Sequence, residues 1–180
     1  MTAARDVAAL INDLIPGQVG EKKMHKLLYY VQGYHLAWHD RPAFEEDIHA
    51  YEHGPVVHLY RAARVHRWDV PDPEPLDDAT IRDVTHMVVQ RFGRLTGNAL
   101  GKRTHEEDPW IEAWANAQSD DPWTNDVIYN DPLRKYFSDP ALTDEQRRSL
   151  GLDTDLSAAW ENFVPDPPGA IDAFEAMLNS

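Results

Sequence analysis

The chain has 180 residues, of which 42% are hydrophobic, six are Trp and none is Cys. That suits a single domain with a real core, excludes disulfide frameworks and cysteine-based metal sites, and favours an intracellular protein. The formal net charge is −14, from 31 acidic residues against 17 Lys and Arg. Most of such a surface is ill-suited to nucleic acid, whose binding draws on cations that displace phosphate counterions. An acidic surface does suit a basic protein partner, by speeding encounter and selecting complementary faces; the plainer alternative is solubility alone.

No apolar run approaches the roughly 20 residues that a membrane span needs. The opening MTAARDVAALINDL is interrupted by Arg5, Asp6, Asn12 and Asp13, so no signal peptide is read there and a soluble, cytoplasmic chain is expected.

Thr2 is placed to cap a first helix carrying Val7, Leu10, Ile11 and Leu14, ended by Pro16-Gly17. A second helix is predicted from about Gly20 to Trp38. Its Met24, Leu27, Leu28, Val31, His35 and Trp38 recur at helical spacing, which makes one face for burial. Asp40-Arg41-Pro42 breaks it. Ile48 and Ala50 alternate with His49 and Tyr51, the pattern of a short strand, and its partner is expected around Val127 to Tyr129. His53-Gly54-Pro55 is read as the turn that opens a third helix. Pro55 would sit at its first position, with Val56, Leu59, Tyr60 and Ala63 following, to about Trp68.

Residues 69–78 (DVPDPEPLDD) form a loop. Thr80 to Leu95 is predicted helical, with Ile81, Val84, Val88, Phe92 and Leu95 on one stripe, and a further turn or short helix follows from Thr96 to Arg103. Asp108-Pro109 starts a helix bearing Trp110, Ala113, Trp114 and Ala117, and Asp131-Pro132 opens a last one to Phe137. The expected fold is mainly α: a compact bundle of about six to eight helices around the central one, with a minor strand element near 44–52. From Ser138 onward nine acidic residues face two basic ones, a balance of −7. Thr143 to Leu150, Leu156 to Val164 and Ile171 to Leu178 are short amphipathic pieces, too short to be stable alone. This C-terminal helical extension is expected to dock on the core or on a partner.

Two ordered strings stand out. K-L-L-Y-Y-x-Q-G-Y-H-L-A-W runs from Lys26, Leu27, Leu28 and Tyr29 to Trp38, and E-H-G-P-V-V-x-x-L-Y from Glu52 through His53, Gly54 and Pro55 to Tyr60. Thr104-His105 and Asp108-Pro109-Trp110 follow. The ordered set resembles the Panacea domain, the SocA-like family of phage- and plasmid-associated proteins, over roughly residues 1–137, with 138–180 as the acidic extension. The resemblance implies an antitoxin of a toxin–antitoxin system. It would neutralise a cognate toxin, encoded next to it, by direct binding. One branch of the family resembles a proteolytic adaptor, which gives a second reading in which the partners include a protease.

Enzymatic chemistry finds little purchase. His49, His53 and His58 are neighbours in sequence but need not converge, and Thr104-His105-Glu106-Glu107-Asp108 lacks the second ligand of a zinc helix. His53 and His105 are read as satisfying backbone groups at turns. A metal-dependent hydrolase using them is the third reading; no catalytic residue, metal or cofactor is assigned. No nucleophile elbow or phosphate-binding glycine loop is present. Glu106 and Glu107 are read as a solvated face, and the cations Lys22, Lys23, Lys26 and Arg61, Arg64, Arg67 either as local exceptions to the poor fit for nucleic acid or as solvated helix faces. Tyr30, Tyr34 and Trp38 follow one another at helical spacing. They belong either to the core or, with Tyr51 and Tyr60, to a groove for a partner segment. Trp110 is read as core, and Trp123, in a polar loop, as an exposed anchor.

Overall fold

A computed structural model of the chain describes residues 2–117 and 127–138. Seven helices and one small sheet make up this part. They are α1 (Ala4–Leu14), α2 (Glu21–His39), β1 (Ile48–Tyr51), β2 (Gly54–Val57), α3 (His58–Val65), α4 (Ala79–Phe92), α5 (Gly97–Thr104), α6 (Asp108–Ala117), β3 (Val127–Ile128) and α7 (Asn130–Phe137). The mainly α architecture with a minor strand element is as expected. Among the described residues no helix is long and apolar enough to cross a membrane.

Helix α2 organises the rest, and α1, α4, α5, α7 and β2 all pack against it. It is therefore buried on every side, not on one face, and the fourteen residues from Lys23 to Leu36 are all buried. A helix with neighbours all round must satisfy whatever polar groups it carries. Gln32 shows how: its Oε1 accepts from the amides of Ala43 and Phe44 at 2.9 and 3.3 Å, while its Nε2 donates to the Phe44 carbonyl at 3.2 Å. That clamp fastens the segment leading into β1. His35 Nδ1 donates to the Arg41 carbonyl at 2.8 Å, and Nε2 lies 3.0 Å from the Thr80 hydroxyl, tying the end of α2 to the start of α4. Gly33 lets α7 come close. A Cβ there would stand 2.3 Å from the Phe137 ring.

The helix ends follow local chemistry. Asp40 closes α2 in the left-handed region at φ 53°, a conformation that Asp tolerates better than most residues. Asp78 caps α4 by accepting from the Thr80 and Ile81 amides, and Thr96 caps α5 by accepting from Ala99. Bonds from Thr80 and from Arg41 hold the Asp78 carboxyl well below the usual carboxylate range. Thr2 does not cap α1. Ala3 takes that position, and Asp6 accepts its amide at 2.9 Å. Leu95 falls beyond the end of α4 and is exposed, while Ile81, Val84, Val88 and Phe92 are buried as the stripe requires.

The sheet has the order β2-β1-β3, with both pairings antiparallel. Ile48 faces Ile128 and His49 faces Val127, so the expected partner of the first strand is found. The other neighbour corrects the sequence reading. Gly54-Pro55 does not open a helix; it begins β2, and Tyr51 pairs with Gly54 across the two-residue turn Glu52-His53. Helix α3 starts only at His58 and ends at Val65. Pro55 is tolerated because β2 is an edge strand, where a missing N–H costs no ladder bond.

Candidate functional site

The quoted motif residues come from four separate stretches, and the fold brings members of each together around Lys26 and Gly54. Lys26, on α2, is almost fully buried and donates from Nζ to the Pro55 carbonyl at 2.8 Å. Burial, aided by the charge of Lys22, brings its amine down to about 7. Gly54 sits against it at φ +94°. A Cβ there would lie 2.7 Å from Thr104 Oγ1 and 2.9 Å from Lys26 Cε, so both the backbone angle and the space demand glycine. Thr104 Oγ1 in turn donates to the Gly101 carbonyl at 2.9 Å.

The start of α6 completes the cluster. Trp110 donates from Nε1 to the Tyr51 carbonyl at 3.1 Å and packs on the His105 ring, 4.2 Å between centroids. His105 is held below its ordinary value by burial first, then by the cations Lys26 and Lys22. It also bonds the backbone at Glu52, which keeps its reading as a turn histidine. His53 differs: its side chain is exposed and fills no buried role. Lys26 and Lys23 also depart from expectation. Neither solvates a face; Lys23 is buried and donates to the Gly93 carbonyl at 2.8 Å.

Glu107 is the residue that the sequence reading missed. It is buried, accepts the Tyr30 hydroxyl at 2.9 Å, and has Arg103 Nε 3.6 Å away. Burial raises its carboxyl to about 7, against the lowering pull of Tyr30, Tyr29 and the arginines. The Glu106-Glu107 pair lies in the turn between α5 and α6, where Glu106 faces water and Glu107 turns inward.

The aromatic residues separate cleanly. Tyr30 stacks on Phe92 at 4.1 Å, Tyr34 packs on Phe137 at 4.8 Å, and both are buried. Neither ring lines a surface groove; the groove reading is corrected for these two by the closure of α4 and α7 over α2. Tyr29 is also core, whereas Trp38, expected on the buried face, is 47% exposed. Tyr51 and Tyr60 are half-buried at the surface, with the Tyr51 hydroxyl 2.8 Å from His58 Nδ1. Trp123 and the three amphipathic pieces after Ser138 lie outside the described residues.

Lys26 and Glu107 are the kind of displaced titratable groups that often mark catalytic sites. Here each is enclosed and bonded within the scaffold, which fits a structural part better. A shallow groove of about 660 Å³ opens instead between the ends of α2 and α7, lined by Leu36, Ala37, Asp40, Asp131, Arg134, Lys135 and Ser138. Arg134 occupies both of its carboxylates, Asp40 and Asp131. Among the described residues no three His, Asp or Glu side chains gather as a metal would require.

Residues 24–111 match the model of a family described as antitoxin SocA-like, Panacea domain. The matched stretch runs from α2 into α6 and contains every member of the cluster around Lys26 and Gly54. No curated protein and no solved structure matches the chain.

Proposed function

From the Panacea domain of the antitoxin SocA-like family that this chain carries at residues 24–111, we propose that it neutralises a cognate protein toxin by stoichiometric binding, without turnover. One observation supports the non-catalytic side of this reading most directly. The polar motif residues Lys26 and Thr104, and Glu107 beside them in the chain, point inward and bond to their own scaffold. A family signature that builds a framework leaves the surface free to vary with the partner. Tyr51 and Tyr60, half-exposed beside the hairpin, and Trp123 are the proposed contacts, since Tyr and Trp give large contact area with few rotors.

Co-expression with the product of the adjacent gene tests the proposal. Growth should be arrested by that product alone and restored by this chain, with a complex recovered on purification. A neighbour that is harmless alone, or that stays toxic with this chain in excess, removes the antitoxin reading. Tyr51→Ala and Trp123→Ala should weaken neutralisation while the melting curve stays in place. Disappearance of the toxin that requires a cellular protease would favour the adaptor mechanism over occlusion.

A further inference from the structure

Among the described helices, α3 alone contributes no buried residue. Leu59 and Val65 are each 53% exposed, Trp68 is 51% and Val70 44% exposed, all within twelve residues of chain. Four large apolar side chains left this open in one short run make it a candidate docking surface. Residues 58–68 hold Arg61, Arg64 and Arg67 and no acid, in a chain of net charge −14, and Asp69 follows them. All three arginines are exposed. Arg61 stands 3.6 Å from Glu21 and Arg64 leans on the Tyr60 ring, both open to water, where such pairs bind weakly. The face is therefore basic and apolar together.

One segment of the same chain has the opposite character. Residues 149–180 carry six acids and neither Lys nor Arg. Their apolar residues, Leu156, Trp160 and Phe163, then Ile171, Phe174 and Met177, recur at helical spacing. The two stretches are complementary in sign, and both carry apolar residues. We propose that α3 and the turn after it are the seat of the chain's own acidic segment, residues 153–178. The fourteen residues from 139 to 152 span roughly 45 Å when extended, against a domain roughly 35 Å across. The tether raises the local concentration of the segment to about the millimolar range, so even a weak charged and apolar contact is populated. The proposal does not depend on the antitoxin reading.

Hydrogen exchange on the full chain, at low protein concentration and without any partner, reads the contact directly. In wild type the α3 amides should exchange about tenfold more slowly than in the variant Asp153→Lys/Asp155→Lys/Glu161→Lys. Adding Arg61→Glu/Arg64→Glu/Arg67→Glu to that variant should restore protection, and raising the salt concentration should remove it in wild type. Protection of the α2 amides, unchanged throughout, serves as the check that each variant is folded. Exchange of α3 that ignores the charge of the segment overturns the proposal. Protection that grows with protein concentration gives the face to a second copy, and protection seen only with added toxin gives it to the toxin; either result also overturns it.

Discussion

Helices α2 and α3 both carry cations, lysines on the first and arginines on the second, and place them oppositely. On α2, Lys23 and Lys26 are buried, while on α3, Arg61 and Arg64 stand in water. Charge and periodicity do not separate the two cases, since both helices look like solvated basic faces in the sequence. Neighbours do. Four helices and a strand surround α2, whereas α3 lies along β2 and touches α2 at its edge, where Tyr60 meets His25 and Arg61 meets Glu21. A lysine can be enclosed where a carbonyl is aimed at its amine, and the carbonyls of Gly93 and Pro55 take that part here. Substitutions around α2 should therefore break the fold, and those on α3 should leave it standing.

The largest effect is expected at Gly54. Gly54→Val forces a β-branched side chain to φ +94° and drives its Cβ into Thr104 and Lys26. Strain and overpacking together should cost about 3 kcal/mol or more, seen as a large fall in the thermal midpoint by circular dichroism. A Gly54→Val protein that melts like wild type would mean the contact between the hairpin and α2 is not what holds this corner together.

Lys26→Met sharpens the contrast next, because it keeps the volume and removes the donor to Pro55. A buried carbonyl left without its partner costs about 1–3 kcal/mol. The pH dependence isolates the amine. In the unfolded chain the lysine keeps its proton to about 10, but in the folded protein it is released at about 7. Between those values the unfolded state binds more protons, so this group makes stability rise with pH. Urea midpoints at pH 7 and 9.5 should show that rise in wild type and lose this contribution in Lys26→Met.

Glu107 contributes the opposite slope. Its folded value of about 7 lies above the ordinary 4.5, so between them the folded state holds a proton that the unfolded state has released. Stability from this group falls as pH rises from about 5 to about 8. Glu107→Gln keeps an acceptor for Tyr30 and does not titrate. The unfolding free energy of the variant relative to wild type should improve by roughly 2 kcal/mol from pH 5 to pH 8. A difference that stays flat with pH would mean that Glu107 stays ionised in the folded state.

What could be seen in the sequence follows the same division. Helices α4 to α7 were legible because each begins at a capping residue or an Asp-Pro step and repeats its apolar residues at helical spacing, and β1 was legible from its alternation. The hairpin was not. Glu52-His53 lacks the Asn-Gly or Asp-Gly pair that announces a tight turn, and Gly54-Pro55 imitates a helix start. Lys26 and Trp38 were misplaced for one reason: periodicity gives a direction around a helix axis and says nothing about how many neighbours close over it. Glu107 was misplaced because it sits in the turn between α5 and α6, not on a helix. The cluster of motif residues was visible as strings. Only the fold shows that Gly54 needs its space for Lys26 and Thr104.

The smallest effect is expected on α3, and it completes the contrast. Leu59→Asn and Val65→Asn replace side chains that are already more than half in water, so little apolar area is lost from the folded state. Each should shift the unfolding free energy of the core by no more than about 0.5 kcal/mol, measured as the urea midpoint followed through Tyr30 and Phe92 packing by near-ultraviolet circular dichroism. Asn also has a lower helix propensity than Leu by a few tenths of a kcal/mol, which lies within that margin. A loss of several kcal/mol at either position would mean that the segment proposed to sit on α3 unfolds together with the core and is not a weak tethered contact.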